Sequence, residues 1–162
     1  MELAQAQKTA DSALGRFRPY CSQIEIAGSV RRARRFVNDI DIVLIPTDRN
    51  AVGRVLMEMA VESTGSPKPE MAGPKIARVM HQGIRLDIYY ATPETFATLL
   101  LIRTGSKRHN AHLAGRAKEK GWRLAASGDG LFDADDQRIA GDTEASIFEA
   151  LGLPYKEPGK RE

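Results

Sequence analysis

Asp39 and Asp41 stand at the head of an otherwise apolar run, DIDIVLIP, directly after the arginine-rich stretch SVRRARRFVN. Residues i and i+2 of a strand point to one face, roughly 6.5–7 Å apart along the chain, so the two carboxylates are expected side by side. Like charges placed in this way repel unless a cation lies between them. Hard oxygen donors suit Mg²⁺, which keeps several waters and shares its shell with substrate phosphates. Asp87, alone among apolar neighbours in RLDIYY, supplies a third carboxylate. If its strand lies beside the first, three acids can hold two metals about 3.5–4 Å apart, the arrangement that clamps the attacking and leaving oxygens of a displacement at phosphorus.

Gly28-Ser29 fits the other half of such a site. A glycine turn after a strand exposes backbone N–H groups that cradle phosphate oxygens, and Ser29 adds a hydroxyl. Arg32 offers a guanidinium fork for phosphate charge. Each feature alone has an ordinary reading: strand-initial aspartates facing water, a solvated arginine loop, a plain turn. Their combination in chain order, with Asp87 downstream, favours the site. His81, His109 and His112 lack zinc-ligand spacing and are expected at the surface or near phosphate. Cys21 reads as a core thiol and Trp122 as a packing anchor.

Such groups need elements to hold them. Residues 2–17 carry apolar positions at helical spacing, and Arg18-Pro19 ends that helix. SQIEIAGS alternates as a strand and breaks at a tight turn at Gly28-Ser29. DIDIVLIP is apolar on both faces after Asp41, so it belongs inside a sheet. NAVGRVLMEMAVES reads as a helix and GSPKPEMAGP as a loop. KIARVMHQGIRLDIYYA reads as a hairpin turning near Gln82-Gly83. Thr92 is expected to cap a helix with Pro93 at its first position. A basic helix, KRHNAHLAGRAKEKGW, then ends at Gly121, and a short capped helix and a proline-rich tail follow. The expected class is α/β (α+β): a sheet lobe over residues 1–92, then a small, mainly helical lobe over residues 93–162.

Composition sets broad limits. The 162 residues are 42% hydrophobic and 28% charged, with a net charge of +3 and a pI of about 9.1. That balance suits a globular protein with a phosphate-bearing partner. The single cysteine excludes an intrachain disulfide and fits a reducing, cytoplasmic setting. No apolar run reaches membrane-span length, and no signal-peptide core opens the chain.

The segment GSVRRARRFVNDIDIVL resembles the catalytic stretch of the family X DNA polymerases, within the nucleotidyltransferase superfamily. RLDIYYATPETFATLLLIRTGSKRHNAHLAGRAKEKGWRL resembles the family's later stretch, and LGLPYKEPGKRE its ending. The resemblance implies a nucleotidyltransferase palm domain with a mixed sheet and flanking helices over residues 1–92, followed by a nucleotide- and DNA-binding helical lobe with a short sheet over residues 93–162. It implies dNMP addition to a DNA 3′-hydroxyl at gaps or primer ends, with pyrophosphate release and a part in DNA repair. Asp39, Asp41 and Asp87 would be the catalytic metal ligands for two Mg²⁺, with Mn²⁺ as a substitute. Asp87 would sit nearest the attacking hydroxyl, with Arg85 beside it on the primer. Gly28, Ser29, Arg32 and Asn38 would bind the nucleotide, Ser29 and Arg32 at its β and γ phosphates. Thr104, Gly105 and Ser106 would line its sugar, and Asn110 its base edge. Primer-template or gapped DNA and a dNTP are the implied partners of a monomer, with no membrane.

Departures accompany the match. Ile102-Arg103 replaces an aromatic pair before Thr104-Gly105-Ser106, Ala114 replaces an arginine, and Ala125-Ala126-Ser127 stands where Asn-Glu-Tyr is usual. Val37 falls where a serine usually helps hold phosphate. The family's N-terminal helical DNA-gripping parts have no counterpart here. DNA is therefore expected on the palm and on the helix with Lys107, Arg108, Arg116, Lys118 and Lys120, with binding that weakens steeply in salt. Two other readings stay open: a template-independent or relaxed-sugar nucleotidyltransferase, and a non-catalytic nucleic-acid-binding module.

Overall fold

The computed structural model describes all 162 residues. Strands β1 (Cys21–Ile26), β2 (Asp39–Pro46), β3 (Met71–Ala72), β4 (Ile76–His81) and β5 (Ile84–Tyr90) form one sheet in the order β1-β2-β5-β4-β3. β2 and β5 run parallel, and the other pairs are antiparallel. Both faces of β2 are covered, as its apolar run requires. Ile40, Ile42 and Leu44, with Leu86 and Ile88 of β5, pack against helices α1 (Leu3–Phe17) and α3 (Arg49–Thr64). On the opposite face Val43, Ile45 and Tyr89 pack against Phe96, Leu99 and Leu100 of helix α4 (Phe96–Thr104). Asp48 starts α3 by accepting the Ala51 amide at 2.9 Å, and Gly65 closes it in the left-handed region.

α4 serves both lobes. Its Leu101 belongs to a separate core with Leu113, Ala117, Leu131, Ile147 and Phe148. That core is built from helices α5 (Lys107–Glu119) and α6 (Glu144–Ala150) and a small antiparallel sheet. The small sheet holds β6 (Arg123–Leu124), β7 (Leu131–Phe132) and β8 (Arg138–Ala140). The expected class and the short second sheet are both present. No helix is long and apolar enough to cross a membrane.

Several local expectations change. Thr92 does not cap α4. Residues 92–95 form a turn in which the Thr95 hydroxyl accepts the Thr92 amide at 2.9 Å, so the helix starts at Phe96. Gly28-Ser29 opens a short helix, α2 (Gly28–Arg31), rather than a tight turn. His81 and His109 are buried, not at the surface. Burial lowers both imidazoles, and His109 falls to about 4. The Gln82-Gly83 turn is as expected, with positive φ at both residues, the geometry of a two-residue hairpin loop.

Candidate active site

Parallel pairing of β2 and β5 sets Asp39 opposite Arg85 and Asp41 opposite Asp87. The three carboxylates thus share one sheet face, as the strand periodicity required. β4, on the other side of β5, sets Arg78 opposite Asp87. Two arginines hold two of the acids. Arg78 donates to Asp87 from Nε at 2.7 Å and from Nη2 at 3.0 Å. Arg85 donates to Asp39 at 2.7 Å, and its Nε lies 3.5 Å from Asp87.

Asp41 has no ion-pair partner. Burial, then the charges of Asp39 and Asp87, push its carboxyl up to about 6. The Tyr89 hydroxyl and the charge of Arg103 work in the opposite direction. Burial and the nearby Asp41 in turn push the Tyr89 phenol up to about 12. Asp41 is therefore a carboxylate short of positive charge, and the hard oxygen donors of this face suit a divalent cation. No three of its acidic side chains are gathered closely enough to hold a metal ion as they stand, and Arg78 and Arg85 are paired with Asp87 and Asp39.

Gly28 is required where it stands. Its φ is +58°, and a Cβ there would overlap the Asp41 carboxylate. Gly28→Ala should therefore displace Asp41 and cost roughly 1–3 kcal/mol of stability, with activity lost beyond what the stability change explains. Thermal melts and primer extension on the same preparation check this.

A cleft of about 290 Å³ opens beside these groups. Gly28, Ser29, Arg32, Asp39 and Asp41 line one side. Gly105, Lys107 and Asn110 line the other, with Ile102, Arg103 and Tyr89. Arg32 donates to the Thr104 carbonyl, while its buried Nε has no protein partner. Burial, then the charge of Arg34, lowers its pKa, so an anion in the cleft would be welcome to it. Asn110 donates to the Ile102 carbonyl at 2.7 Å, and its buried Oδ1 is left without a partner.

Other expected residues lie elsewhere. Thr104 is fully buried, and Arg31 takes its hydroxyl at 2.7 Å. Ser106 caps α5 by accepting the His109 amide at 3.2 Å. Asn38 is exposed and outside the cleft lining, and Val37 is a core residue. Arg108, Arg116, Lys118 and Lys120 are exposed along and just past α5, as is Lys107 at the cleft wall. Arg116 pairs with Glu119 at 3.3 Å, and Lys120 lies 5.2 Å from the Trp122 ring.

Pattern reading missed Arg78, Tyr89 and the cleft-side position of Arg103, whose guanidinium sits 4.2 Å from the Tyr89 ring centre. It also missed the junction of the lobes. Arg31 holds Glu144 with two bonds of 2.8 and 2.7 Å, and Arg161 holds the same carboxylate at 2.8 Å.

Residues 99–162 match the family described as DNA polymerase beta thumb. The chain is similar to DNA polymerases of family X. It is 29% identical to the DNA polymerase/3′-5′ exonuclease PolX of Bacillus subtilis (strain 168) over 140 residues, covering 84% of this chain and 24% of that protein. It is 24% identical to DNA polymerase lambda of Rattus norvegicus over 159 residues, covering 83% of this chain and 28% of that protein. The chain thus spans about a quarter of the length of these relatives. The stretch similar to the polymerase beta thumb begins within α4 and takes in the second lobe.

Proposed function

We propose that this chain is a minimal nucleotidyl-transfer core of a DNA polymerase, with residues 1–92 as palm and residues 93–162 as the nucleotide- and DNA-binding lobe. It adds a dNMP to a DNA 3′-hydroxyl at gaps or primer ends and releases pyrophosphate, a reaction suited to DNA repair. The observation that carries this reading is the β2–β5 register, which sets Asp39, Asp41 and Asp87 on one face beside a cleft lined by Gly28, Ser29 and Arg32. Asp39, Asp41 and Asp87 would hold Mg²⁺, or Mn²⁺ in its place. Two such ions, when bound, neutralise phosphate charge and ease ionisation of the hydroxyl.

The chain's own residues bind and orient. Ser29 and Arg32 receive the outer phosphates, and the unpartnered Nε of Arg32 gains an acceptor there. Gly105, Lys107 and Asn110 form the opposing wall. Asp87 would lie nearest the 3′-hydroxyl, which gives its proton to water as its oxygen bonds the α-phosphorus and the α–β bridge breaks, releasing pyrophosphate. Positioning and charge complementarity carry most of the rate in such transfers. The exposed cations of α5 hold the DNA backbone.

A second reading rests on Arg103. A cation standing on Tyr89 at the cleft gives that wall a different chemistry from an aromatic pair, and Ala114 presents only a methyl group at the surface. These residues favour relaxed sugar choice or template-independent addition. Primer extension on one-nucleotide-gapped, nicked and single-stranded DNA, with each dNTP and rNTP in Mg²⁺ and in Mn²⁺, separates the two. The first reading expects the complementary dNTP to fill the gap. Insertion that ignores the template base or the 2′-hydroxyl selects the second, and no extension on any substrate overturns both.

A further inference from the structure

Asp87 is the most enclosed of the three carboxylates, 4% exposed, and one side chain takes both its oxygens. That side chain is Arg78, on the strand flanking β5 on the side away from β2. A carboxylate committed to a guanidinium fork is a poor metal ligand, since its lone pairs meet N–H groups and the neighbouring charge repels a cation. Asp39 and Asp41 line the nucleotide cleft, whereas neither Asp87 nor Arg78 does. Two acids are thus presented and the third is withheld. The Arg78 side chain is 28% exposed, and its fork uses only part of a guanidinium's five donors. The acceptor that matches the same fork is a phosphate, with two oxygens in one plane.

We infer that Arg78 is a positioning residue: it holds Asp87 until a backbone phosphate of the DNA end takes the guanidinium, so the third carboxylate is released for metal only when DNA is bound. This rests on the polymerase reading above. The coupling it creates is reciprocal, so DNA tightens metal binding by the same factor as metal tightens DNA binding. Arg85 does not substitute for Arg78, because its closest bond is to Asp39.

The test is Mn²⁺ binding to the 162-residue chain, read by electron paramagnetic resonance of free Mn²⁺, with and without a primer–template duplex and with no nucleotide. Mn²⁺ held by the duplex alone is subtracted. In the unsubstituted protein the duplex should tighten Mn²⁺ at least about 5-fold. Arg78→Met should bind Mn²⁺ about 5-fold more tightly without DNA and gain less than about 2-fold from the duplex. Arg78→Lys, which keeps the charge without the fork, should fall between. In an Asp87→Asn background, Arg78→Met should change nothing further. Parent-like Mn²⁺ affinity in DNA-free Arg78→Met, or the same gain in the Asp87→Asn background, would overturn the inference. Failure of the polymerase reading would show separately, as no primer extension by the unsubstituted protein.

Discussion

Asp41→Asn is expected to lower nucleotide incorporation at least about 1000-fold while making the metal-free protein more stable at neutral pH. Both effects have one source. Asp41 sits among Asp39 and Asp87 with no cation of its own, and burial together with those charges lifts its carboxyl from an ordinary 3.8 to about 6. The raised value means that the native state holds the proton more tightly than the unfolded chain does. Stability therefore falls as pH rises from about 4 to about 6 and stays reduced above that. Asparagine cannot ionise, so it removes this loss. The gain should be on the order of 1–2 kcal/mol at pH 7.5, allowing for partial solvent screening, and should vanish near pH 4. Urea unfolding at the two pH values, with divalent metal removed, measures it. A variant that is equally destabilised at both would contradict the account of Asp41.

Glu144→Ala should be the most damaging single change outside the cleft, costing roughly 3–5 kcal/mol, a large part of a small protein's stability. Glu144 takes a bidentate pair from Arg31 and a further bond from Arg161, which is fully buried. Burial works to raise its carboxyl, but bonds and charge from the two arginines outweigh it and hold it below the usual range. Its stabilisation is accordingly present at neutral pH and lost on acidification. Alanine would leave Arg161 with the Lys156 carbonyl, the Tyr155 hydroxyl and two aromatic rings, and no counter-charge. Arg31 also belongs to the helix that presents Ser29, so the loss should loosen the phosphate side as well. A denaturation midpoint equal to that of the unsubstituted protein would show that the network contributes little.

Local pattern carried the sheet and the acids well. Alternation placed Asp39 and Asp41 on one face, and the glycine turn near residue 83 defined the β4–β5 hairpin. Counting outward from that two-residue turn even pairs Arg78 with Asp87, a signal available but unused. The arginine run was harder, because four like residues read as one solvated patch. The fold sends them to four places. Arg31 turns inward to Glu144, Arg32 enters the cleft, Arg34 pairs with Glu162, and Arg35 lies over the exposed Phe36 ring. Two of these destinations depend on partners more than a hundred residues away, which no periodicity encodes. The buried histidines fail for the same reason. His109 lies under Phe148, with ring centres 5.7 Å apart, and helix spacing alone could not say that α6 would cover it. Thr104 looked like part of a nucleotide turn, yet the lobe junction took its hydroxyl.

Nucleotidyl transfer is the reaction proposed for the Asp39–Asp41–Asp87 face. Its most direct test is insertion of one complementary dNTP into a one-nucleotide DNA gap in Mg²⁺, with the extended primer and released pyrophosphate counted together, for the unsubstituted protein and for Asp39→Ala. Equal yields of the two products are expected from the unsubstituted protein, and neither product from a folded Asp39→Ala variant. Undiminished insertion by Asp39→Ala, or none by the unsubstituted protein, would contradict it.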